Sequence, residues 1–302
     1  MLVECVPNFS EGRKSETIDR IASAIAAVAG VVVLNRHIDV DHNRSVITFV
    51  GEPEAIANAA LTAVATAKEL IDLRTHAGVH PRIGATDVLP FVPVSGVSME
   101  KCVALAQAVG QRIWEELSIP VYFYERAASR ADRVRLEHVR GQGFEWLRHE
   151  IEINPDRAPD VGNPKLHPSA GATVVGARPF LIAFNVNLQT SDLSIARSIA
   201  REVRERDGGL RFVKALGFEL QSRGVVQVSM NLIDYQQTGI GQAFEAVRAA
   251  AARAQVEVLG AEIVGLVPRA ALDRNASYFA YLENFRETLV IETLLEEIQR
   301  TR

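Results

Sequence analysis

The residues best suited to chemistry lie in a polar segment at positions 74–87, with the sequence RTHAGVHPRIGATD. His80 precedes Pro81 within this segment, so a stiff backbone holds its side chain in polar surroundings. Imidazole takes up and returns a proton near neutral pH, where carboxylates, amines and phenols need large pKa shifts to do so. The sequence therefore makes His80 a candidate general acid and base. The alternative is an ordinary histidine of a surface loop.

His76 lies four residues before His80, which is the spacing of a metal-binding histidine pair on a helix. Gly78 and the proline after His80 predict a loop here instead, and Ala77 stands where a zinc peptidase needs a glutamate. We therefore expect no metal at this site. A metal-dependent hydrolase that uses His42, His76 and His80 stays open as an alternative, and it predicts loss of activity with a chelator.

Three further polar groups could bind a ligand. Residues 39–44 (DVDHNR) are polar at five of six positions, which fits either a site or a solvated turn. The proline-rich segment 154–171 has no periodic pattern, and it is either a linker or an ordered binding loop. Asn185 and Asn187 alternate along an apolar strand predicted at 180–188, so they share one face. Buried amides need hydrogen-bond partners, and these two are therefore expected to face a polar ligand.

The composition excludes several classes of function. Among the 302 residues, Lys and Arg number 33 and Asp and Glu number 37, so the net charge of −4 offers no basic field for nucleic acid or an anionic membrane. The two cysteines cannot form a disulfide framework or a structural zinc site. Walker, dinucleotide-binding and nucleophile-elbow motifs are missing, which disfavours nucleotide-dependent and α/β-hydrolase chemistry. No secretory signal or membrane-spanning stretch is recognisable, and we expect a cytoplasmic protein.

The elements expected around these residues are strands that alternate with helices in both halves of the chain. Each half approximates β-α-β-β-α-β, which predicts an α/β (α+β) fold of two ferredoxin-like subdomains, each a β-sheet with helices on one face. The boundary is placed at the end of the proline-rich segment, which gives subdomains 1–170 and 171–302. Residues 88–94 are apolar but contain two prolines, which predicts a strand at a sheet edge or at a bulge. The charge-rich residues 127–149 predict one or two surface helices.

Several uncommon sequence motifs make the chain similar to the glutamate formiminotransferase family, the transferase half of formiminotransferase-cyclodeaminase. They run in family order through nearly the whole chain and are VECVPNFSEG (3–12), DHNRSVITFVG (41–51), HPRIGATDVLPFVPV (80–94), GATVVGARPFLIAFNVNL (171–188), VVQVSMNLIDY (225–235) and VGLVP (264–268). The resemblance implies transfer of a formimino group between L-glutamate and N5 of tetrahydrofolate, a step of histidine degradation and one-carbon metabolism. It also implies a homodimer, tetrahydrofolate as the co-substrate and no metal. The chain ends at Arg302 without the cyclodeaminase segment, so it resembles the stand-alone transferase.

The resemblance also assigns roles to residues already singled out. His80 aligns with the catalytic histidine of the family. The folate-binding segment of the family aligns with Gly162, Asn163, Pro164, Lys165, His167, Pro168, Ser169 and Gly171. The middle of this segment, residues 163–167, differs from the animal enzymes. Ala170 replaces an aromatic residue, and Pro179 stands where the family often has lysine.

The implied reaction is addition and elimination at an amidine carbon. One amine attacks, a tetrahedral centre forms and the other amine leaves after protonation, so one group that accepts and returns a proton serves both steps. The remaining candidates follow from side-chain chemistry: acceptors for the cationic amidinium (Asp39 and Asp87), guanidinium clamps for substrate carboxylates (Arg44, Arg82 and Arg178), and amides for the pterin (Asn43, Asn185 and Asn187). Formyl transfer from 5-formyltetrahydrofolate to glutamate and a non-catalytic folate-binding module stay open as alternatives.

Overall fold

The structure is a computed structural model that describes residues 1–301, with side chains up to residue 300. It divides into two compact units, the first formed by Met1–Arg178 and the second beginning at Pro179. The strands of the N-terminal unit are β1 (Leu2–Cys5), β2 (Asn8–Phe9), β3 (Val31–Asp39), β4 (Arg44–Gly51), β5 (Thr86–Ser95), β6 (Val121–Glu125) and β7 (Thr173–Ala177). Its helices are α1 (Ser15–Ala26), α2 (Pro53–Leu70), α3 (Met99–Leu117), α4 (Leu136–Arg140) and α5 (Phe144–Ile153).

The strands of the N-terminal unit form one sheet in the order β1-β4-β2-β5-β7-β6, with β3 paired to β4. Strand β7 runs parallel to both of its neighbours, and the other pairs are antiparallel. Helices α1, α2 and α3 cover one face, where Ile21, Phe49 and Phe91 belong to the larger core. Helices α4 and α5 pack against part of the opposite face, where Tyr122 and Leu147 belong to a smaller core.

Strand β5 lies inside this sheet, between β1 and β2 on one side and β7 on the other. An edge position for residues 88–94 is therefore wrong, whereas the predicted bulge is confirmed, because the pairing with β1 shifts register between Leu2 and Val3 and leaves Val94 as an extra residue. A second shift lies between Asn8 and Phe9, where Asp87 is the extra residue of β5. Bulges tolerate nearby prolines because the ladder of hydrogen bonds is already interrupted there. A bulge also changes the direction of the extra side chain, and it thereby aims Asp87 at the candidate site.

The proline-rich segment is an ordered part of the N-terminal unit and not a linker between the units. Val161 forms a bridge with Val121 of β6, and the Ala85 amide donates a 2.9 Å hydrogen bond to the Ala170 carbonyl. Strand β7 follows the segment and completes the first sheet. Residues 171–178 therefore lie in the N-terminal unit, whereas the boundary predicted after residue 170 would place them in the second subdomain. Only the long-range parallel pairing of β7 places them there.

Gly171 closes the proline-rich segment in a conformation that a larger residue disrupts. Its φ is +70°, and a Cβ built on it lies 2.1 Å from the Ile83 carbonyl oxygen. The Gly171→Ala variant is expected to lower the free energy of unfolding by about 3 kcal/mol, because a left-handed backbone and a steric overlap add together. Gly208→Ala is the matched control, since Gly208 has a φ of +93° and nothing within 4 Å of its Cβ position. Chemical denaturation measures both, and equal losses would refute the steric part.

The C-terminal unit contains β8 (Ile182–Leu188), α6 (Leu193–Val203), β9 (Val213–Leu220), β10 (Val225–Leu232), α7 (Ile240–Arg253), β11 (Val258–Val264) and α8 (Ile291–Thr301). The first six elements follow the order β-α-β-β-α-β, and their antiparallel sheet has the order β11-β8-β10-β9. Phe184 and Val186 of β8 pack with Phe244 of α7 in its core. The predicted fold class, two subdomains built from sheets and helices, is confirmed. Among the described residues, no helix is long and apolar enough to span a bilayer.

Candidate active site

His80 lies in the segment that joins α2 to β5, and the backbone beside it fixes its tautomer. Its Nδ1 is 2.8 Å from the carbonyl oxygen of Pro81. A carbonyl oxygen only accepts hydrogen bonds, so the neutral imidazole carries its proton on Nδ1 and a lone pair on Nε2. Nε2 is therefore the atom of His80 that can take a proton from a substrate.

A second histidine lies beside His80 in the turn between β3 and β4. The rings of His42 and His80 have centroids 5.9 Å apart and are inclined by 61°. Asp39 accepts a 2.8 Å hydrogen bond from the His42 amide, and its other oxygen lies 3.0 Å from His42 Nδ1. Burial raises the pKa of Asp39, but the hydrogen bonds from His42 outweigh burial and lower this pKa below its usual value. Asp39 thus orients His42 as the Pro81 carbonyl orients His80.

Two arginines from different elements share one buried carboxylate next to these histidines. Oδ2 of Asp87 accepts hydrogen bonds from Arg44 Nη1 at 2.8 Å and from Arg140 Nη2 at 2.5 Å. Oδ1 of Asp87 accepts a 2.8 Å hydrogen bond from the Ile83 amide. Asp87 is fully buried, and both guanidiniums are close to fully buried. Two positive charges against one negative charge leave one positive charge in excess, which suits an anionic group of a ligand.

This cluster determines the protonation of the groups within it. Burial raises the pKa of Asp87, but the charges of Arg140 and Arg44 outweigh burial and hold this pKa below its usual value. Burial lowers the pKa of Arg44 to about 10, so Arg44 stays charged at neutral pH. Burial and the charges of Arg44, Arg140 and His42 lower the pKa of His80 well below its usual value. His80 is therefore a neutral imidazole at neutral pH, ready to accept a proton.

Arg178 is a further cation of the N-terminal unit, at the end of β7. Its side chain hydrogen-bonds the phenol of Tyr124, and burial raises the pKa of Tyr124 to about 12. Burial also raises the pKa of Glu4, on β1, to about 7, although the charge of Arg178 opposes this shift. The charge of Arg140 acts on the same tyrosine, which connects Arg178 electrostatically with the Asp87 cluster.

Asn43 and Arg82 bond other parts of the N-terminal unit through their side chains. Oδ1 of Asn43 accepts from the Gly12 amide, and its Nδ2 donates to the Ala77 carbonyl, both at 2.9 Å. Arg82 donates to Glu145 of α5 at 2.8 Å. These bonds hold the segment that carries His80 against the β3–β4 turn and α5. Contacts of Asn43 and Arg82 with a ligand stay predictions.

The segment aligned with the family's folate-binding loop holds its own shape. His167 Nδ1 accepts a 3.1 Å hydrogen bond from the Ala170 amide, and Leu166 and Ala170 are buried. Gly162 has a φ of +101°, and a Cβ built there meets the ring of Trp114 at 2.6 Å. The residues that this loop leaves exposed are Asn163, Pro164, Lys165 and Pro168. Contacts to folate through these residues stay a prediction.

In the C-terminal unit, Asn185 and Asn187 lie on the face of β8 opposite the core residues Phe184 and Val186. Asn185 hydrogen-bonds Glu262 of β11, and Asn187 hydrogen-bonds Gln227 of β10. Neither partner was predicted from the sequence, although each is a polar residue inside an apolar strand, VVQVSMNL or VLGAEIV, and such residues are candidates for a site. The ion pair of Arg140 with Asp87 could not be found in this way, because Arg140 lies in a charge-rich segment.

Metal ligands are not grouped in the part of the chain that the structure describes. No three or more His, Cys, Asp or Glu side chains there come together as a set that could hold an ion. His76 is used otherwise, because its Nε2 lies 3.0 Å from the Asn43 carbonyl oxygen.

Comparison with known proteins places this geometry in a family. Residues 2–178 match the formiminotransferase domain, N-terminal subdomain, and residues 183–298 match the formiminotransferase domain. A glutamate formimidoyltransferase of Thermoplasma acidophilum is 48% identical over 98% of each chain. One of Streptococcus pyogenes is 43% identical over 94% of this chain and 95% of its own length. A formimidoyltransferase-cyclodeaminase of Rattus norvegicus is 44% identical over 97% of this chain and 56% of its own length. With both of its units matched, this chain belongs to the formiminotransferase family.

Proposed function

We propose that this chain is a glutamate formimidoyltransferase that moves a formimino group between L-glutamate and N5 of tetrahydrofolate. Two relatives of nearly the same length carry that name. The observation that carries the proposal is His80, a neutral imidazole with its tautomer fixed by Pro81 and a cationic cluster beside it. This arrangement fits a reaction that exchanges one amine for another and needs a single proton moved between them.

His80 performs both proton transfers in the proposed mechanism. As N5 of tetrahydrofolate attacks the amidine carbon of N-formimino-L-glutamate, Nε2 of His80 accepts the proton that N5 loses. The N5–carbon bond forms, and a tetrahedral centre results. Nε2 then returns the proton to the glutamate nitrogen as the carbon–nitrogen bond breaks. A low pKa suits the second step, because the imidazolium is then a strong acid toward the departing amine.

The charged groups around His80 have different proposed roles in substrate binding. The excess positive charge of Arg44 and Arg140 suits a carboxylate, which L-glutamate and the folate tail both carry. Asp87 is enclosed by these guanidiniums and the Ile83 amide, so it holds the cations in place and does not face the amidinium. Asp39 stays the proposed acceptor for the amidinium.

Removing a positive charge from the cluster is expected to shift the pH dependence of transfer. The charge of Arg140 contributes to the low pKa of His80, so Arg140→Gln raises this pKa. His80 then becomes protonated at a higher pH on acidification. The acidic limb of the kcat/KM profile is expected to move to higher pH. The control is Arg148→Gln, because Arg148 is exposed on α5, and this variant should have the pH profile of wild type. An unmoved limb in Arg140→Gln would contradict this role of the cluster.

Formyl transfer is the second candidate, since a positive cluster also favours a carbonyl donor whose oxygen gains negative charge. The two donors are compared directly, with N-formimino-L-glutamate and N-formyl-L-glutamate as parallel substrates and tetrahydrofolate as acceptor. The proposal expects the formimino donor to be turned over far faster. Turnover of the formyl donor alone would establish the second candidate. Folate binding without turnover of either donor would leave a binding module.

The proposal further includes tetrahydrofolate as a co-substrate without a metal, a homodimer and a cytoplasmic location. The folate contacts proposed are the segment 162–171 and the amides Asn185 and Asn187. Light scattering tests the dimer, and a chelator should leave transfer unchanged.

A further inference from the structure

His42 is a buried histidine beside His80 that the mechanism above does not use. It lies in the turn between β3 and β4 and is 7% exposed. Its amide donates to Asp39 Oδ1 at 2.8 Å, and its ring nitrogen Nδ1 lies 3.0 Å from Asp39 Oδ2. The first of these bonds closes the turn. The second is not needed for the turn, and it fixes the imidazole ring.

The contact with Asp39 determines which nitrogen of His42 can exchange a proton. A carboxylate accepts hydrogen bonds only, so Nδ1 carries a proton and Nε2 is the nitrogen that accepts or donates one. A carboxylate at Nδ1 also stabilises the imidazolium that forms when Nε2 accepts a proton. The ring centroids of His42 and His80 are 5.9 Å apart. Since a hydrogen bond spans about 3 Å, one substrate nitrogen between the rings can bond both of them.

The two histidines lie in different electrostatic surroundings. Asp39 faces the His42 ring from the end of β3, and His80 faces it from the segment between α2 and β5. Burial and the charges of Arg44 and Arg140 lower the pKa of His80. One ring is therefore paired with a carboxylate, whereas the other lies beside guanidiniums. Such a difference suits two separate proton transfers.

The proposed reaction requires two proton transfers, and His80 accounts for one of them. In transfer to tetrahydrofolate, His80 carries the proton of N5 to the glutamate nitrogen, which then leaves as a neutral amine. An alkyl amine is an ammonium in water at neutral pH, so this amine gains one further proton. In the opposite direction, the glutamate ammonium has to lose that proton before its nitrogen can attack. A second group that exchanges protons is therefore required.

We propose that Nε2 of His42 exchanges this second proton with the amino group of L-glutamate. When glutamate is the acceptor, Nε2 removes one proton from the ammonium, and the neutral amine attacks the amidine carbon. His80 then carries the next proton from the glutamate nitrogen to N5 as the N5–carbon bond breaks, and His42 releases its own proton to water. When tetrahydrofolate is the acceptor, the same steps run in reverse. The inference rests on the proposed function for the identity of the amine.

The test measures kcat/KM for L-glutamate as acceptor, with 5-formiminotetrahydrofolate as donor, from neutral to alkaline pH. Wild type deprotonates the ammonium itself, so its value is expected to change little. His42→Asn keeps an N–H donor for Asp39 but cannot exchange a proton, and it depends on glutamate that is already neutral. Its kcat/KM is expected to be about 10²-fold lower at neutral pH, to rise about tenfold per pH unit and to approach wild type in alkaline solution. His149→Asn, exposed on α5, is the control and should follow wild type at every pH.

A purely structural role of His42 predicts a different pH dependence. An equal loss at every pH in His42→Asn would overturn the inference, because the ionisation of glutamate would then make no difference. Wild-type activity of this variant at neutral pH would overturn it as well. A wild type whose kcat/KM rises about tenfold per pH unit would do so without any variant, since such an enzyme uses only the neutral amine. If wild type transfers no formimino group in either direction, the proposed function itself is refuted.

Discussion

The His80→Ala variant is expected to lower kcat for formimino transfer by about 10²–10⁴-fold, the usual contribution of a general acid and base. Alanine cannot take the proton of the attacking amine or return it to the departing one. The dissociation constant for 5-formyltetrahydrofolate should stay within a few-fold, because the contacts proposed for folate come from other residues. Steady-state transfer and equilibrium folate binding, measured on the same preparation, separate the two effects.

His149→Ala is the matched control for this substitution. His149 is an exposed histidine on α5, so its loss should change neither quantity. If His80→Ala kept near wild-type turnover, the proton transfers would have to be reassigned. His42 would then be the next candidate, since Asp39 fixes its tautomer in the same way.

The second large effect concerns stability. The Asp87→Asn variant is expected to lose about 3–5 kcal/mol of unfolding free energy, because it leaves two buried guanidiniums without their shared carboxylate. Asparagine keeps the size of the side chain, so the loss measures charge and not packing. Urea denaturation followed by circular dichroism gives the number.

Asp156→Asn provides the comparison, since Asp156 is exposed in its ion pair with Arg130. Exposed pairs contribute little, and the expected loss is below about 1 kcal/mol. An Asp87→Asn variant as stable as Asp156→Asn would mean that another anion neutralises the two arginines. The buried cluster would then not hold the charge that the mechanism uses.

Local sequence patterns predict much of the fold. The C-terminal unit follows its predicted β-α-β-β-α-β order, because apolar strands and amphipathic helices there have clear periodicity. The prolines of β5 predict a sheet edge or a bulge, and the structure has bulges inside the sheet. The charge-rich residues 127–149 predict one or two surface helices, and α4 and α5 begin there, with Phe144 and Leu147 on the buried face of α5. The position of β5 inside the sheet comes from long-range pairing, which local patterns do not encode.

The candidate site is predictable in its residue types more than in their roles. His80 and Asp39 follow from their polar surroundings and from the family resemblance. The ion pairs of Asp87 with Arg44 and Arg140 depend on a bulge and on a short helix far along the chain. The spacing of these residues in the sequence therefore does not predict the ion pairs. Glu262 was more accessible to sequence reasoning, because a carboxylate inside an apolar strand needs a partner or a ligand.

The measurement that tests the central claim most directly is a single-turnover reaction with ¹³C in the formimino carbon of N-formimino-L-glutamate. NMR follows this carbon in the presence of tetrahydrofolate, with wild type and His80→Ala side by side. The proposed function predicts that the label moves to N5 of tetrahydrofolate in wild type and, over the same reaction time, stays on glutamate in the variant. A label that stays on glutamate in wild type, although tetrahydrofolate binds, would contradict it.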